Sequence, residues 1–268
     1  MHTRIGLVVF DLAGTTVDYG CIAPVAAFME GFRMMQVPIT LAQARAPMGM
    51  EKRAHIKAIA AQDDVAESWQ QVHGRGVTET DIDAMYEAFT PLLLDVLPDH
   101  CDLIPGILET VAWLDSLGIP FAATTGYFRE AAQIVLDSIA RTGFRPHVTV
   151  CATEVPAGRP TPWMIYRCME TLDVYPPQCV INIGDTVVDV ESGRNAGVWS
   201  VGVAASGNEL GLSHEEKQQL DDSVLVQRLQ QVRKTLTEAG AHYVVDTVAD
   251  LPDLIPKIEQ QLAAGERP

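Results

Sequence analysis

The chain has 268 residues, 47% of them hydrophobic, which suits one large domain or one domain carrying an insertion. With 35 acids against 19 bases the formal net charge is -16, which argues against nucleic acid or an anionic membrane as partner but leaves a small phosphorylated molecule open. The five cysteines, Cys21, Cys101, Cys151, Cys168 and Cys179, are odd in number and form no CxxC pair. They argue against a disulfide framework or a zinc site and fit a reduced, cytoplasmic protein.

The first apolar run, residues 5–10, reads as a buried strand. It is too short for a signal peptide, and no stretch approaches the roughly 18 apolar residues of a membrane span. From residue 23 to 98 the pattern is helical with no convincing strand. Phe28, Phe32 and Met35 share one face there, and Met85, Phe89, Leu92 and Leu93 share another. A helix follows Pro105–Gly106, carries Ile107, Val111 and Leu114, and stops near Gly118. Residues 119–124 read as the second strand, and a helix with Ile134, Val135 and Ile139 runs from Tyr127 toward Gly143. Further strands are expected at 148–151, 180–183, 200–203 and 243–245, with a loose tail over 263–268. Strands alternating with helices imply an α/β fold, a doubly wound parallel sheet with a Rossmann-like core. The expected division is 1–20 and 100–268 for the sheet domain, with 21–99 as an inserted α-helical domain.

Four motifs fall at expected strand ends, where ligands sit in an open parallel sheet. VVFDLAGTT places Asp11 after the first strand, TTG places Thr125 and Gly126 after the second, and AGRPTPW places Arg159 after the third. NIGDTVVD places Asp185 and Asp189 after the fourth. Asp11 is suited to attack phosphorus. Gly14 and Thr15 can offer backbone N–H groups to phosphate oxygens, and Thr125 with Gly126 adds a hydroxyl and further donors. Arg159 can neutralise phosphoryl charge. Asp11 and Asp185 are hard oxygen ligands for Mg²⁺, with Asp189 in the same motif. Each motif alone also reads as a turn, a surface arginine or a helix cap, Asp185 being the expected cap. All four in order at strand ends favour catalysis.

This order resembles the haloacid dehalogenase-like superfamily of aspartate-nucleophile phosphotransferases, and the helical insertion resembles its cap domain. FDLAGTTVDYG, PMGMEKRAH, TTGYFRE, VPAGRPTPWM, GDTVVDVESGRNAG and ELGL resemble the phosphonoacetaldehyde hydrolase (phosphonatase) family over nearly the whole chain. The resemblance implies Mg²⁺, with the Ala13 carbonyl and Asp189 joining Asp11 and Asp185 at the metal. It also implies a phosphonate aldehyde as substrate and a homodimer formed through the cap. Phe28, Phe32 and Met35 are candidates for that contact, or for the interior of the cap.

Position 13, where most phosphatases of the superfamily carry a second aspartate as general acid, is Ala13. An oxygen leaving group would be handicapped, whereas a carbon leaving group activated in another way would not. Lys52 can supply that activation by forming an imine with an aldehyde β to phosphorus, so that carbon departs as an enamine. Ile56 and Ile59 follow Lys52 at helical spacing, and His55 lies on the same side. Desolvation there favours the neutral amine. By spacing alone Lys52 reads more readily as a surface lysine lying on apolar neighbours; Ala13 and the family resemblance decide for the imine. The resemblance gives His55 a proton relay. Met48 matches as pocket or packing methionine, and Cys21 and Tyr127 match as pocket walls. The rival readings are a phosphate-ester phosphatase or phosphomutase, which Ala13 disfavours, and a phospho-accepting signalling module, which lacks a large insertion.

Overall fold

Strands covered by helices on both faces are mostly apolar, and six short runs of this chain fit that pattern. The computed structural model describes residues 3–268. Its strands are β1 (Leu7–Asp11), β2 (Phe121–Thr125), β3 (Val148–Cys151), β4 (Val180–Gly184), β5 (Trp199–Val203) and β6 (Tyr243–Val245). They form one parallel sheet in the order β3-β2-β1-β4-β5-β6. The expected strands are all present, shifted by one or two residues at some ends. Asp11 is accordingly the last residue of β1 rather than the first beyond it.

Between β1 and β2 lie α1 (Ala23–Met34), α2 (Leu41–Arg45), α3 (Lys52–Ala60), α4 (Asp63–His73), α5 (Glu79–Val96) and α6 (Ile107–Ser116). Then come α7 (Arg129–Ile139), α8 (Trp163–Thr171), α9 (Val187–Ala196), α10 (His214–Gln219), α11 (Asp222–Glu238) and α12 (Leu251–Ala263). Alternate residues of β1 serve two cores. Val8 and Phe10 join Val111, Val135 and Ile258 of α6, α7 and α12. Leu7 and Val9 face Met164, Ile165 and Cys168 of α8. The connections leave β1 toward β2 on one side and β4 on the other, so a crevice opens at the carboxyl edge beside β1.

The insertion α1–α5 has its own interior. Phe28 stacks on Phe89 with ring centroids 4.4 Å apart, and α1 and α3 both pack on α5. Phe28, Phe32, Met85, Phe89 and Leu93 are buried, each burial contributing about 1.5–3 kcal/mol. Phe28 and Phe32 are therefore interior residues and not a dimer contact. Met35 lies just past the end of α1 and is half-buried. Thr40, Glu51 and Thr78 cap α2, α3 and α5, and a left-handed Gly74 ends α4. Such caps contribute about 1 kcal/mol each.

The tail expected to be loose is partly tied down. The backbone N–H groups of Gly265 and Glu266 donate to Leu262 and Gln261, which continues the end of α12. All five cysteines are free and buried. No helix among the described residues is long and apolar enough to cross a membrane.

Candidate active site

Strand register assembles the acidic side of the site. Asp11 pairs with Thr124 across β1 and β2, and Phe10 pairs with Ile183 across β1 and β4. Asp11 and Asp185 thus leave adjacent strands at the same edge. Asp11, Asp185 and Asp189 are all buried and offer oxygens within 4.8 Å of one another. Arg159, from the loop after β3, reaches in to them. Its Nη2 donates to Asp11 Oδ1 at 2.7 Å and to Thr124 Oγ1 at 2.7 Å, and its Nε donates to Asp189 Oδ1 at 2.8 Å. Two buried carboxylates, Asp11 and Asp189, share this one guanidinium. Burial pushes the Asp11 carboxyl up to about 7, opposed by Arg159 and reinforced by Asp189. Burial and then the neighbouring Asp11 and Asp189 raise Asp185 as well.

Each carboxylate is held from behind. Asp185 Oδ1 accepts from Thr15 Oγ1 at 2.9 Å, and its Oδ2 accepts from the Asn208 backbone N–H at 2.7 Å. Gly14 lies in the left-handed region, and a Cβ there would stand 2.3 Å from Asp185 Oδ2, so only glycine lets the loop pass this close. Asp189 closes a capping box on α9, accepting from the Thr186 N–H at 3.2 Å and hydroxyl at 2.5 Å. The cap of α9 is thus Thr186 and not Asp185.

The insertion supplies the opposite wall. Glu51 accepts from the Arg53 and Ala54 backbone N–H groups at 2.9 Å, which starts α3 with Lys52 as its first residue. Lys52 is only 4% exposed, and its Nζ lies 4.8 Å from the Tyr127 ring centroid and 5.6 Å from that of Phe28. Burial lowers its pKa below that of an ordinary lysine; Cys21 and then Asp11 oppose the shift. A tight cavity of about 20 Å³ is lined by Asp11, Ala13, Lys52, Thr125, Tyr127 and Arg159. Cys21, Met48, Gly49, Gly126 and Thr186 complete its walls. The two sides meet closely: a Cβ on Gly126 would stand 2.4 Å from the Met50 carbonyl oxygen, and Arg159 Nη1 donates to the Gly49 carbonyl at 3.4 Å.

Five expected residues, Gly14, Thr15, His55, Asp185 and Asp189, do not line this cavity, the two aspartates standing behind Asp11. The Gly14 and Thr15 N–H groups, expected to face phosphate, donate instead to Val17 and Leu12 carbonyls of their own turn, at 2.7 and 3.3 Å. The tight turn after β1 uses these donors, so the two residues shape and hold Asp185. His55 stacks on Phe28 at 3.8 Å, and its Nε2 bonds the Ala44 carbonyl at 2.8 Å, leaving Nδ1 without a partner. Burial, then the charge of Lys52, holds its pKa well below that of a free histidine. Thr186 and Gly49 line the cavity and Asn208 holds Asp185, although none was expected. GDTVVD marks Thr186 as a possible cap, and PMGM contains Gly49; Asn208 carries no local signal.

The haloacid dehalogenase-like hydrolase family model matches residues 5–197. Over 96% of its length the chain is 44% identical to a phosphonoacetaldehyde hydrolase of Bacillus cytotoxicus, covering 98% of that protein. It is 43% identical over 97% of its length to a phosphonoacetaldehyde hydrolase-like protein of Syntrophobacter fumaroxidans, covering 94% of that relative. The chain belongs to the phosphonoacetaldehyde hydrolase family of haloacid dehalogenase-like hydrolases. The crystal structure of a phosphonoacetaldehyde hydrolase like protein from Oleispira antarctica superposes with a TM-score of 0.97 at 38% identity, covering 99% of this chain and 96% of that one. Like the rest of this family, the protein is a hydrolase with an α/β sheet domain.

Proposed function

We propose that the protein hydrolyses the carbon–phosphorus bond of phosphonoacetaldehyde to acetaldehyde and phosphate. The observation that carries the reading is that Lys52 and Asp11, reaching in from opposite sides, line one cavity. The names of relatives 44% identical over nearly the whole chain support it. In this reading residues 21–99 are a cap domain that closes over the sheet domain and excludes bulk water.

The neutral Lys52 amine condenses with the aldehyde and releases water. Asp11 attacks phosphorus, and the electron pair of the broken P–C bond moves into the protonated imine to give an enamine. The enamine takes a proton on carbon, and water hydrolyses the resulting imine to acetaldehyde and free Lys52. A second water cleaves the aspartyl-phosphate and restores Asp11. Arg159 holds the phosphoryl oxygens, exchanging one of its present carboxylate contacts for them. Thr125 accepts from the Tyr127 N–H at 3.1 Å, which leaves its own proton for the substrate. Gly126 lets the cap backbone approach, and Met48, Cys21 and Tyr127 form the walls. His55 relays protons through the Lys52 side of the site: with Nε2 bonded to a carbonyl, the free Nδ1 is the acceptor.

The donor set fits Mg²⁺, because three buried carboxylates beside a single guanidinium leave excess negative charge for a hard cation. Asp11, Asp185 and the Ala13 carbonyl would hold it with Asp189 alongside, and its charge would let an anionic carboxylate approach an anionic phosphoryl group. The five unpaired cysteines support a reducing, cytoplasmic location. Met34, Leu41 and Val72 are large apolar side chains that the cap leaves exposed, and they support a homodimer through the cap.

The test is phosphate and acetaldehyde release from phosphonoacetaldehyde, with Mg²⁺ and after its removal, beside a panel of phosphate esters. Equal yields of both products, dependent on Mg²⁺, are expected. Faster turnover of an ester with no acetaldehyde formed from the phosphonate would instead make it a phosphate-ester hydrolase.

A further inference from the structure

The loop after β5 carries the ELGL motif, Glu209 to Leu212, and takes no part in the chemistry above. It receives one side chain of the insertion. Arg45, the last residue of α2, donates from Nη1 to the Asn208 Oδ1 at 3.0 Å and to the Gly20 carbonyl at 2.8 Å. Longer contacts run to the Cys21 and Gly211 carbonyls at 3.5 Å. Asn208 Nδ2 returns a bond to the Arg45 carbonyl at 3.3 Å. The loop is shaped around the guanidinium: Gly211 is left-handed, and a Cβ there would stand 3.1 Å from Arg45 Nε.

We infer that Arg45 is a positioning residue, a latch that fastens the insertion onto the 208–211 loop and so holds Lys52 opposite Asp11. The inference rests on the reading of those two residues given above. The connection runs both ways from the latch. On one side the Ala44 carbonyl accepts from His55 Nε2 at 2.8 Å, and His55 lies one turn from Lys52 on α3. On the other, the Asn208 backbone N–H holds Asp185 Oδ2 at 2.7 Å. Every hydrogen-bond acceptor of the Arg45 guanidinium is a neutral carbonyl or amide oxygen, and its buried Nε has none. Burial raises the pKa of the Glu209 carboxylate beside the latch, and the Arg45 charge lowers it without a bond between the two. Lysine cannot reproduce the latch, because one ammonium lacks the planar fork that reaches Gly20, Asn208 and Gly211 together.

The experiment compares the wild type with Arg45→Met, Arg45→Lys and Asn208→Ala. It reads the rate at which a small amine reagent modifies Lys52 without substrate, kcat and KM separately, and the melting temperature. Arg45→Met is expected to speed Lys52 modification and lower kcat/KM by about tenfold or more, the scale of one charge-assisted hydrogen bond, with Arg45→Lys in between. Asn208→Ala keeps the N–H to Asp185 and loses the side-chain bonds to Arg45 and a longer one to Glu209. It should move Lys52 modification in the same direction, and adding it to Arg45→Met should do little more. An unchanged Lys52 rate in folded Arg45→Met overturns the latch; should that variant not fold, an unchanged rate in Asn208→Ala does so. A wild type that modifies as expected yet leaves phosphonoacetaldehyde intact refutes the functional reading alone.

Discussion

Lys52 Nζ lies 4.8 Å from the centroid of the Tyr127 ring. The lysine belongs to the helical insertion and the tyrosine to the sheet domain, so this contact joins the two. A ring face tolerates the ammonium without fixing its proton as a carboxylate would. Burial then favours the neutral form and lowers the pKa, with Cys21, Asp11 and Glu51 opposing.

The direction of that shift sets a pH dependence. A lysine that must be neutral to attack an aldehyde gains activity as pH rises through its pKa. The kcat/KM profile should therefore rise along a limb whose midpoint lies below 10.5, the ordinary lysine value. Lys52→Arg keeps the charge and cannot form an imine. Steady-state assays should show a loss on the order of 10⁴-fold or more, the scale seen when a catalytic nucleophile is removed.

Arg159 touches Asp11, Asp189 and Thr124 with one rigid fork. Arg159→Lys retains the charge but can satisfy only part of that set. A fall in kcat of roughly 10²–10³-fold is expected, with circular dichroism unchanged. Wild-type kcat in a folded Arg159→Lys would remove the guanidinium from the phosphoryl site.

The buried carboxylates make the metal-free protein sensitive to alkali. Because Asp11 is raised from 3.8 to about 7, the folded state binds its proton more tightly than the unfolded state does. The stability this contributes is full below about pH 4 and is lost as pH rises through about 7. The melting temperature of the metal-free protein should fall between about pH 5 and about pH 8, and the rise produced by added Mg²⁺ should grow over the same window. A rise of equal size at both ends would contradict metal binding by Asp11.

Gly126 offers a steric test of closure. A Cβ at this position would stand 2.4 Å from the Met50 carbonyl oxygen of the insertion, a distance real contacts do not reach. Gly126→Ala should hold the insertion away from the sheet, exposing Lys52 to amine reagents and lowering kcat/KM by about tenfold or more. Full activity with Lys52 still protected would show that the closed contact is not the working one.

Much of this arrangement was legible in the chain. Strands covered on both faces are mostly apolar, so β1 to β6 announce themselves, and Asp11 and Asp185 then fall at strand ends by position, with Arg159 in the loop after β3. Lys52 needed the family resemblance, because a first-turn lysine on an apolar stripe looks the same whether or not another domain covers it. Gly14 and Thr15 were misread because a phosphate-cradling loop and a self-bonded turn share the same residues; only backbone geometry shows where the N–H groups go. Arg45 and Asn208 were invisible because their meeting joins segments 163 residues apart. Gly126, expected as a donor near phosphate, also makes room for the cap backbone.

The most direct measurement is borohydride reduction during turnover of phosphonoacetaldehyde, followed by peptide mass analysis. The division of labour between Lys52 and Asp11 predicts an ethyl group on Lys52 Nζ, the reduced imine of acetaldehyde, and loss of activity in proportion to its yield. Undiminished phosphate release with Lys52 unmodified would show that carbon leaves without the lysine.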